Sequence, residues 1–329
     1  MKIFKNLVAL ACLVLFSSAS FAETKMRITL QLPLKAHLGQ NLLVFKKEVE
    51  KRSDIKVEIY DSAQLYKDSE VPQAVGSGAI EAGVASLTRY AGTNPEVDIF
   101  YLPFLFDSEE KVRKATAAGS SIRKILDPAI AKTGGVPLYY QAYGGAIMLS
   151  KGAPMKTPES FKDKKIRVFG KTLGSFVSSL GGKPTMVSGS EQYLAYQRGT
   201  VDAGMTGVSG VKSRKLWQVM DTITVTNHAD IEFLVVANEK WLKKLTVKQR
   251  KAIEEASIIA EKSVRDAMSK IESDAYAAAK ENKMKVVELS KSEVEAFKKA
   301  SASVYDDYLK KTGGKGGVGD KLIQAAQKL

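Results

Sequence analysis

The chain has 329 residues, 44% of them apolar, which is enough for two domains. It carries 50 Lys and Arg against 36 Asp and Glu, but the lysines come as scattered pairs (Lys46-Lys47, Lys164-Lys165, Lys243-Lys244, Lys298-Lys299, Lys310-Lys311) with no aromatic-interleaved basic stripe. The net charge of +14 therefore reads as a solvated surface that mildly attracts anions, and argues against nucleic acid as a partner.

Residues 1–22 read as a Sec-type leader peptide. Lys2 and Lys5 form a charged end, Leu7 to Phe16 is an apolar run too short to cross a bilayer, and Ser20-Phe21-Ala22 supplies small residues for cleavage after Ala22. Cys12 is the only cysteine and lies inside that apolar run, where lipidation would leave too short a leader. The remainder is thereby excluded from disulfide, thiol-nucleophile and cysteine–metal chemistry. No second long apolar run follows, so the expectation is a soluble, exported, periplasmic chain.

Arg27 to Leu32 alternates, with Ile28, Leu30 and Leu32 apolar, and predicts a strand. Leu38, Leu42, Phe45 and Val49 follow at helical spacing. Ile55, Val57 and Ile59 predict a second strand, Ser69 to Val75 a short helix stopped at Gly78, and Ile80 to Ala85 a third strand. Tyr101 to Phe106 reads as an apolar loop or edge segment held by Pro103. Two charged helices are expected near Glu109 to Ala118 and Ile122 to Lys132. Two strands, Val136 to Tyr143 and Ile147 to Ser150, are expected around Gly144-Gly145. This order predicts an α/β domain.

The second half starts over. Thr157-Pro158-Glu159 reads as a helix start, Ile166 to Phe169 as a strand, Leu173 to Leu180 as a helix and Thr185 to Val187 as a strand. Ser188 and Glu191 predict a capping box for a helix running through Arg198. Here an internal echo emerges. Glu70 to Gly83 aligns with Glu191 to Gly204, each reading as helix, glycine stop, strand. Ordinary α/β grammar is the alternative to a true repeat. If the repeat is real, two similar lobes present strand ends, Ser86 to Arg89 and Met205 to Val208, to a shared cleft. Phe233 to Ala237 is a further strand. Thr246 with Gln249 opens a helix that runs without proline or glycine to about Asn282, roughly 50 Å and longer than one lobe. Val286 to Leu289 predicts a late strand. Ser290 with Glu293 opens a last helix carrying Phe297, Val304 and Leu309.

Catalytic constellations are not found. His37 and His228 form no ligand-spaced pair, no Gly-x-Ser-x-Gly elbow occurs, and Asp306-Asp307 lies on a presumed solvated helix. Gly314 to Gly319 fits a dinucleotide glycine pattern but follows a lysine-rich helix rather than a strand, and reads as a helix-end turn. No metal, cofactor or enzymatic activity is expected. Phe161 to Gly170 stands out instead. Alternation puts Arg167 and Phe169 on one strand face. A guanidinium fork beside a ring suits a carboxylate with a carbon body; an arginine at a sheet end paired with a surface acid suits the same residues.

The segments Phe45 to Val49, Ser62 to Leu65, Gly78 to Gly83, Leu102 to Phe104 and Phe161 to Gly170 occur in a telling order. They are followed by Ser190-Glu-x-Tyr193 with Gln197 to Asp202, Thr226-Asn-His228 and Asn238-Glu-x-Trp241. With these marks the chain resembles the extracytoplasmic solute-binding proteins of TRAP transporters, the DctP family. The resemblance implies an α/β, two-lobed periplasmic-binding-protein-like fold with a long helix spanning both lobes. It also implies a monomeric receptor that closes on an organic acid and delivers it to the sodium-driven TRAP membrane permease subunits. The expected division places 23–145 and 233–272 in one lobe and 146–232 and 273–329 in the other. A receptor presenting its ligand to a membrane sensor, or a periplasmic enzyme, are the rival readings.

The family's carboxylate-clamping arginine falls on Arg167. Gln31, His37, Asp68, Ser86 and Arg89 are implied as secondary contacts, with Phe169 packed on the ligand or on its own lobe. Many relatives carry a second arginine after a tyrosine; here Tyr143-Gly-Gly-Ala-Ile147 puts Ile147 at that place. Thr206-Gly207 stands where sialate-binding relatives have asparagine and proline, and Gly189 replaces an aromatic position. A single arginine with an apolar neighbour implies a ligand with one dominant carboxylate and a less polar body, against C4-dicarboxylates and sialic acid. Trp217 is expected in the core near the cleft.

Overall fold

The alternating N-terminal segment builds the middle of a parallel unit. In the computed structural model, which describes residues 23–329, β1 (Lys25–Thr29) buries Met26 and Ile28 completely between β2 (Lys56–Tyr60) and β3 (Ala82–Ser86). The expected leader lies outside the described residues. α1 (His37–Arg52) joins β1 to β2 and buries Leu38, Leu42, Phe45 and Val49, the four positions its periodicity marked. α2 (Val71–Ser77) precedes β3 and stops at Gly78, whose φ of +85° only glycine adopts cheaply. α3 (Glu109–Thr116) and α4 (Arg123–Ala131) then lead into β4 (Gly135–Ser150).

β4 is one strand of 16 residues, where two were expected around Gly144-Gly145. Bulges between Pro137 and Tyr139 and between Ala142 and Gly144 absorb the bend, so the ladder continues past the glycines. Its first part, Gly135 to Gly145, pairs antiparallel with β9 (Asp230–Asn238) and so joins the first sheet. Its last part, Ala146 to Ser150, pairs with β7 (Ala203–Gly207) and joins the second. The second sheet continues through β5 (Lys165–Val168) to β6 (Lys183–Met186), giving the order β2-β1-β3-β9-β4-β7-β5-β6. β8 (Thr222–Val225) pairs with the end of β4, and β10 (Lys285–Glu288) with β8.

Around the second sheet lie α5 (Lys171–Ser179), α6 (Gln192–Gln197) and α7 (Val208–Ser213). The echo is structural: α6, Gly199 at φ +66° and β7 repeat α2, Gly78 and β3. The Ser188–Glu191 capping box does not form: α6 begins only at Gln192, the Glu191 N–H bonds to the Ser188 carbonyl at 3.1 Å, and the Glu191 carboxylate meets Lys67 Nζ at 2.8 Å. Thr157-Pro158 opens only one 3₁₀ turn, Pro158–Phe161.

After α8 (Glu239–Lys244) comes the long helix α9 (Val247–Glu281), opened by the Thr246/Gln249 capping box. Its 35 residues pack against α1 and β4 at one end and α7 and β10 at the other, so it spans both lobes. Arg265 ties it to β9 through a bidentate pair with Glu232 at 3.0 and 2.7 Å, both buried. Glu272 accepts from the Gly145 N–H at 3.2 Å, next to the point where β4 changes sheets. The last expected helix is broken into α10 (Lys291–Ala300) and α11 (Ser303–Lys311) at Ser301, whose hydroxyl bonds back to the Phe297 carbonyl. α12 (Val318–Gln327) follows a turn with Gly313, Gly314 and Gly316 at positive φ. No helix among the described residues is long and apolar enough to cross a membrane.

Candidate functional site

Arg167 reaches its position because β5 is central: β6 and β7 cover its edges, and the side chain passes between them. It is 2% exposed. Its Nε donates to the Val187 carbonyl at 3.0 Å and its Nη1 to the Met205 carbonyl at 2.5 Å. The guanidinium sits 4.9 Å from the centre of the Phe169 ring, as strand alternation requires. Gly204 makes room for this path. A Cβ there would lie 2.2 Å from Tyr196 Oη and 2.8 Å from the Arg167 Cβ. Burial pulls the Arg167 pKa down to about 10, with the Arg214 and Arg89 charges adding to the fall, so the group remains a cation at neutral pH.

The fork is left open. Of five N–H donors, two are engaged by backbone carbonyls, and Nη2 makes no hydrogen bond to protein among the described residues. Arg167 also has no ion-pair partner there. The same is true of Arg214, at the end of α7, whose Nη1 donates to the Tyr143 hydroxyl at 3.0 Å. Two guanidinium groups without counter-charge border one cavity, an arrangement that suits an anion.

That cavity lies between the two sheets. The first sheet side supplies Gln31, Asp68 and Ser86; the second supplies Arg167, Phe169, Gln192, Thr206 and Arg214; Tyr143, Ile231 and Phe233 come from β4 and β9. The space among these residues, part of it open to solvent, amounts to about 290 Å³. A solvent-exposed ion pair, Lys67–Glu191 at 2.8 Å, joins the two sides.

Seven of the ten residues expected at the site line this space: Gln31, Asp68, Ser86, Tyr143, Arg167, Phe169 and Thr206. Three do not. Arg89 gives its Nε to Asp68 at 2.6 Å, and Asp68 also takes the Ser86 N–H and hydroxyl at 2.8 and 2.7 Å. Arg89 is thus paired with an acid and does not line the space, although its charge is still felt at Arg167. The His37 ring meets Tyr143 at a tilt, with ring centres 5.2 Å apart, and pairs its Nε2 with the Ala142 carbonyl at 3.1 Å. Burial lowers its pKa to about 4, so it is a neutral prop for Tyr143 on a neighbouring groove. Ile147 is fully buried in the second hydrophobic cluster with Leu149, Tyr196 and Val208, and only its backbone register brings it opposite Thr206. Trp217 packs on the edge of the same cluster.

Arg214 corrects the expectation of a single arginine. The second guanidinium comes from α7 instead of from position 147 on β4. Its sequence setting, Lys212-Ser-Arg-Lys215, reads as a solvated helix end; the one available signal was its place just past the β7 strand end. Gln192 was missed because Glu191 beside it was read as a cap. No group of three or more His, Cys, Asp or Glu side chains among the described residues is placed to hold a metal ion.

Comparisons with known proteins bear on the family and the fold. The DctP family of bacterial extracellular solute-binding proteins, family 7, matches residues 31–312. A C4-dicarboxylate-binding periplasmic protein of Rhodobacter capsulatus is 30% identical over 222 residues, 66% of each chain. The first four curated relatives are matched over 55 to 66% of their own length. Among solved structures, a TRAP periplasmic solute-binding protein of Sulfurospirillum deleyianum with bound succinate superposes with a TM-score of 0.85 at 24% identity. It covers 93% of this chain and 99% of that one. A Bordetella pertussis extracytoplasmic solute receptor binding pyroglutamic acid gives 0.86 at 23%, covering 93% and 100%.

Proposed function

The chain belongs to the DctP family of bacterial extracellular solute-binding proteins, and from that premise we propose that it is a periplasmic TRAP receptor. In this reading it binds a small organic acid between its lobes and delivers it, as a monomer, to a sodium-driven membrane permease. The observation that carries the acid is Arg167: a buried, charged fork with an open Nη2, no counter-charge, and a ring beside it. A carboxylate supplies the missing acceptors and the missing charge in one group. Phe169, Ile231 and Phe233 then cover the carbon body.

Closure follows from where the walls belong. We assign 23–145 and 233–272 to one lobe and 146–232 and 273–329 to the other, so Gln31, Asp68 and Ser86 face Arg167 and Arg214 across the boundary. A ligand touching both sides favours the shut form by its extra contacts there. In this reading the lobes bend at Gly144-Gly145 on β4, with α9 as the common strut. With Arg214 in the wall, the preference for a single carboxylate no longer follows from a lone arginine, and dicarboxylates return to the field. Export through a leader cleaved after Ala22 belongs to the same reading.

A thermal-shift screen of the chain from Glu23 onward, with monocarboxylates, 2-oxo acids, dicarboxylates and sugar acids, tests it. At a hundred times its dissociation constant a ligand adds about 2.7 kcal/mol of stability, which is several degrees. A complete absence of shifts across the four classes would reject the acid-receptor reading.

A further inference from the structure

We propose that Gln31, Gln192 and Arg214 form a second polar subsite beside Arg167, and that it selects hydroxylated carboxylic acids over oxo and deoxy acids of the same size. The inference rests on the reading of this cavity as an acid site. Gln192 is fully buried on α6 and lines the cavity, yet among the described residues neither its amide oxygen nor its amide nitrogen has a partner. Gln31 is 4% exposed, lines the same space, and its Oε1 is also unpaired. Native interiors avoid buried amides without partners. Two of them on one small cavity mark groups that a ligand completes.

The free atoms specify that ligand's chemistry. Arg167 and Arg214 offer only donors, which a carboxylate satisfies. The two amide oxygens need a donor, and reversing either amide leaves one oxygen per side chain still to be served. Carboxylate, ketone and methyl groups have no proton to give. A hydroxyl gives one proton, to one of the two oxygens, and accepts from the Gln192 amide or from Arg214 at the same time. An ammonium donor is opposed by two guanidinium charges without counter-charge on the same wall. Gly189 keeps the gap clear: a Cβ there would fall 2.7 Å from Gln31 Oε1 and 2.9 Å from Arg214 Nη2.

Calorimetric titration of the chain from Glu23 onward with lactate, pyruvate and propionate, and with malate against succinate, tests this. The hydroxylated member of each set binds about tenfold tighter or more, the penalty for leaving a buried acceptor unpaired. Gln192→Met and Gln31→Met each shrink that ratio, and the melting temperature of the ligand-free variants reports whether they fold. If one variant fails to fold, the other and the wild-type ratio still decide. Equal or tighter binding of pyruvate and succinate, or a ratio untouched in the folded variants, overturns the proposal while the acid receptor stands. If no acid binds the wild-type chain, both fall.

Discussion

Replacing Arg167 with methionine removes the guanidinium and keeps most of the side chain's length. In the complex, the open Nη2 of Arg167 gains at least one charge-assisted hydrogen bond to the carboxylate, about 1.5–3 kcal/mol. The variant also strands that carboxylate in a buried site, so the total loss is about 2–4 kcal/mol. This corresponds to a roughly thirtyfold to thousandfold rise in Kd. Ligand-free stability moves much less, because two effects oppose each other. The Val187 and Met205 carbonyls lose their donors, while the desolvation that holds the guanidinium pKa near 10 is relieved. Isothermal titration with the tightest acid from the screen, beside a ligand-free thermal melt, separates the two. A folded variant whose Kd stays within about threefold of wild type would refute the assignment of Arg167 as anchor.

Three further outcomes follow from the packing. Arg265→Met leaves the fully buried Glu232 carboxylate without its bidentate partner and destabilises the protein by about 3–5 kcal/mol in urea unfolding; a loss under about 1 kcal/mol contradicts that account. Gly204→Ala drives a methyl against Tyr196 Oη and the Arg167 Cβ, so acid affinity falls at least about tenfold through displacement of the fork; unchanged affinity would mean that the wall yields. His228 is fully buried against Phe176, and burial lowers its pKa from 6.5 to about 3. Between those values the unfolded chain holds a proton that the folded one does not. Its contribution is therefore fully present above pH 6.5 and is lost as pH falls, on the order of 1 kcal/mol per pH unit. His228→Phe flattens the stability–pH slope between pH 6 and 4, and an unchanged slope would place the titration elsewhere.

What could be read from the sequence was local. α9 shows itself through a capping box and a stripe that no proline or glycine interrupts, and both features act within a turn or two. The shared face of Arg167 and Phe169 follows from the two-residue period of a strand. The echoed glycines, Gly78 and Gly199, mark left-handed helix stops in both copies. What could not be read was tertiary. Arg214 sits among lysines and serine, and only the path of α7 turns it toward Tyr143. Ile147 follows a bulge at Ala142/Gly144, and its side chain ends in the second cluster. The Ser188 cap fails because the helix begins only at Gln192, while the Glu191 carboxylate meets Lys67, 124 positions away.

A crystal structure of the chain with its tightest-binding acid bears most directly on the central claim. The account places one carboxylate in hydrogen-bond contact with the Arg167 guanidinium, covered by Phe169, between walls from both sheets. Density for the acid anywhere out of reach of Arg167 would contradict it.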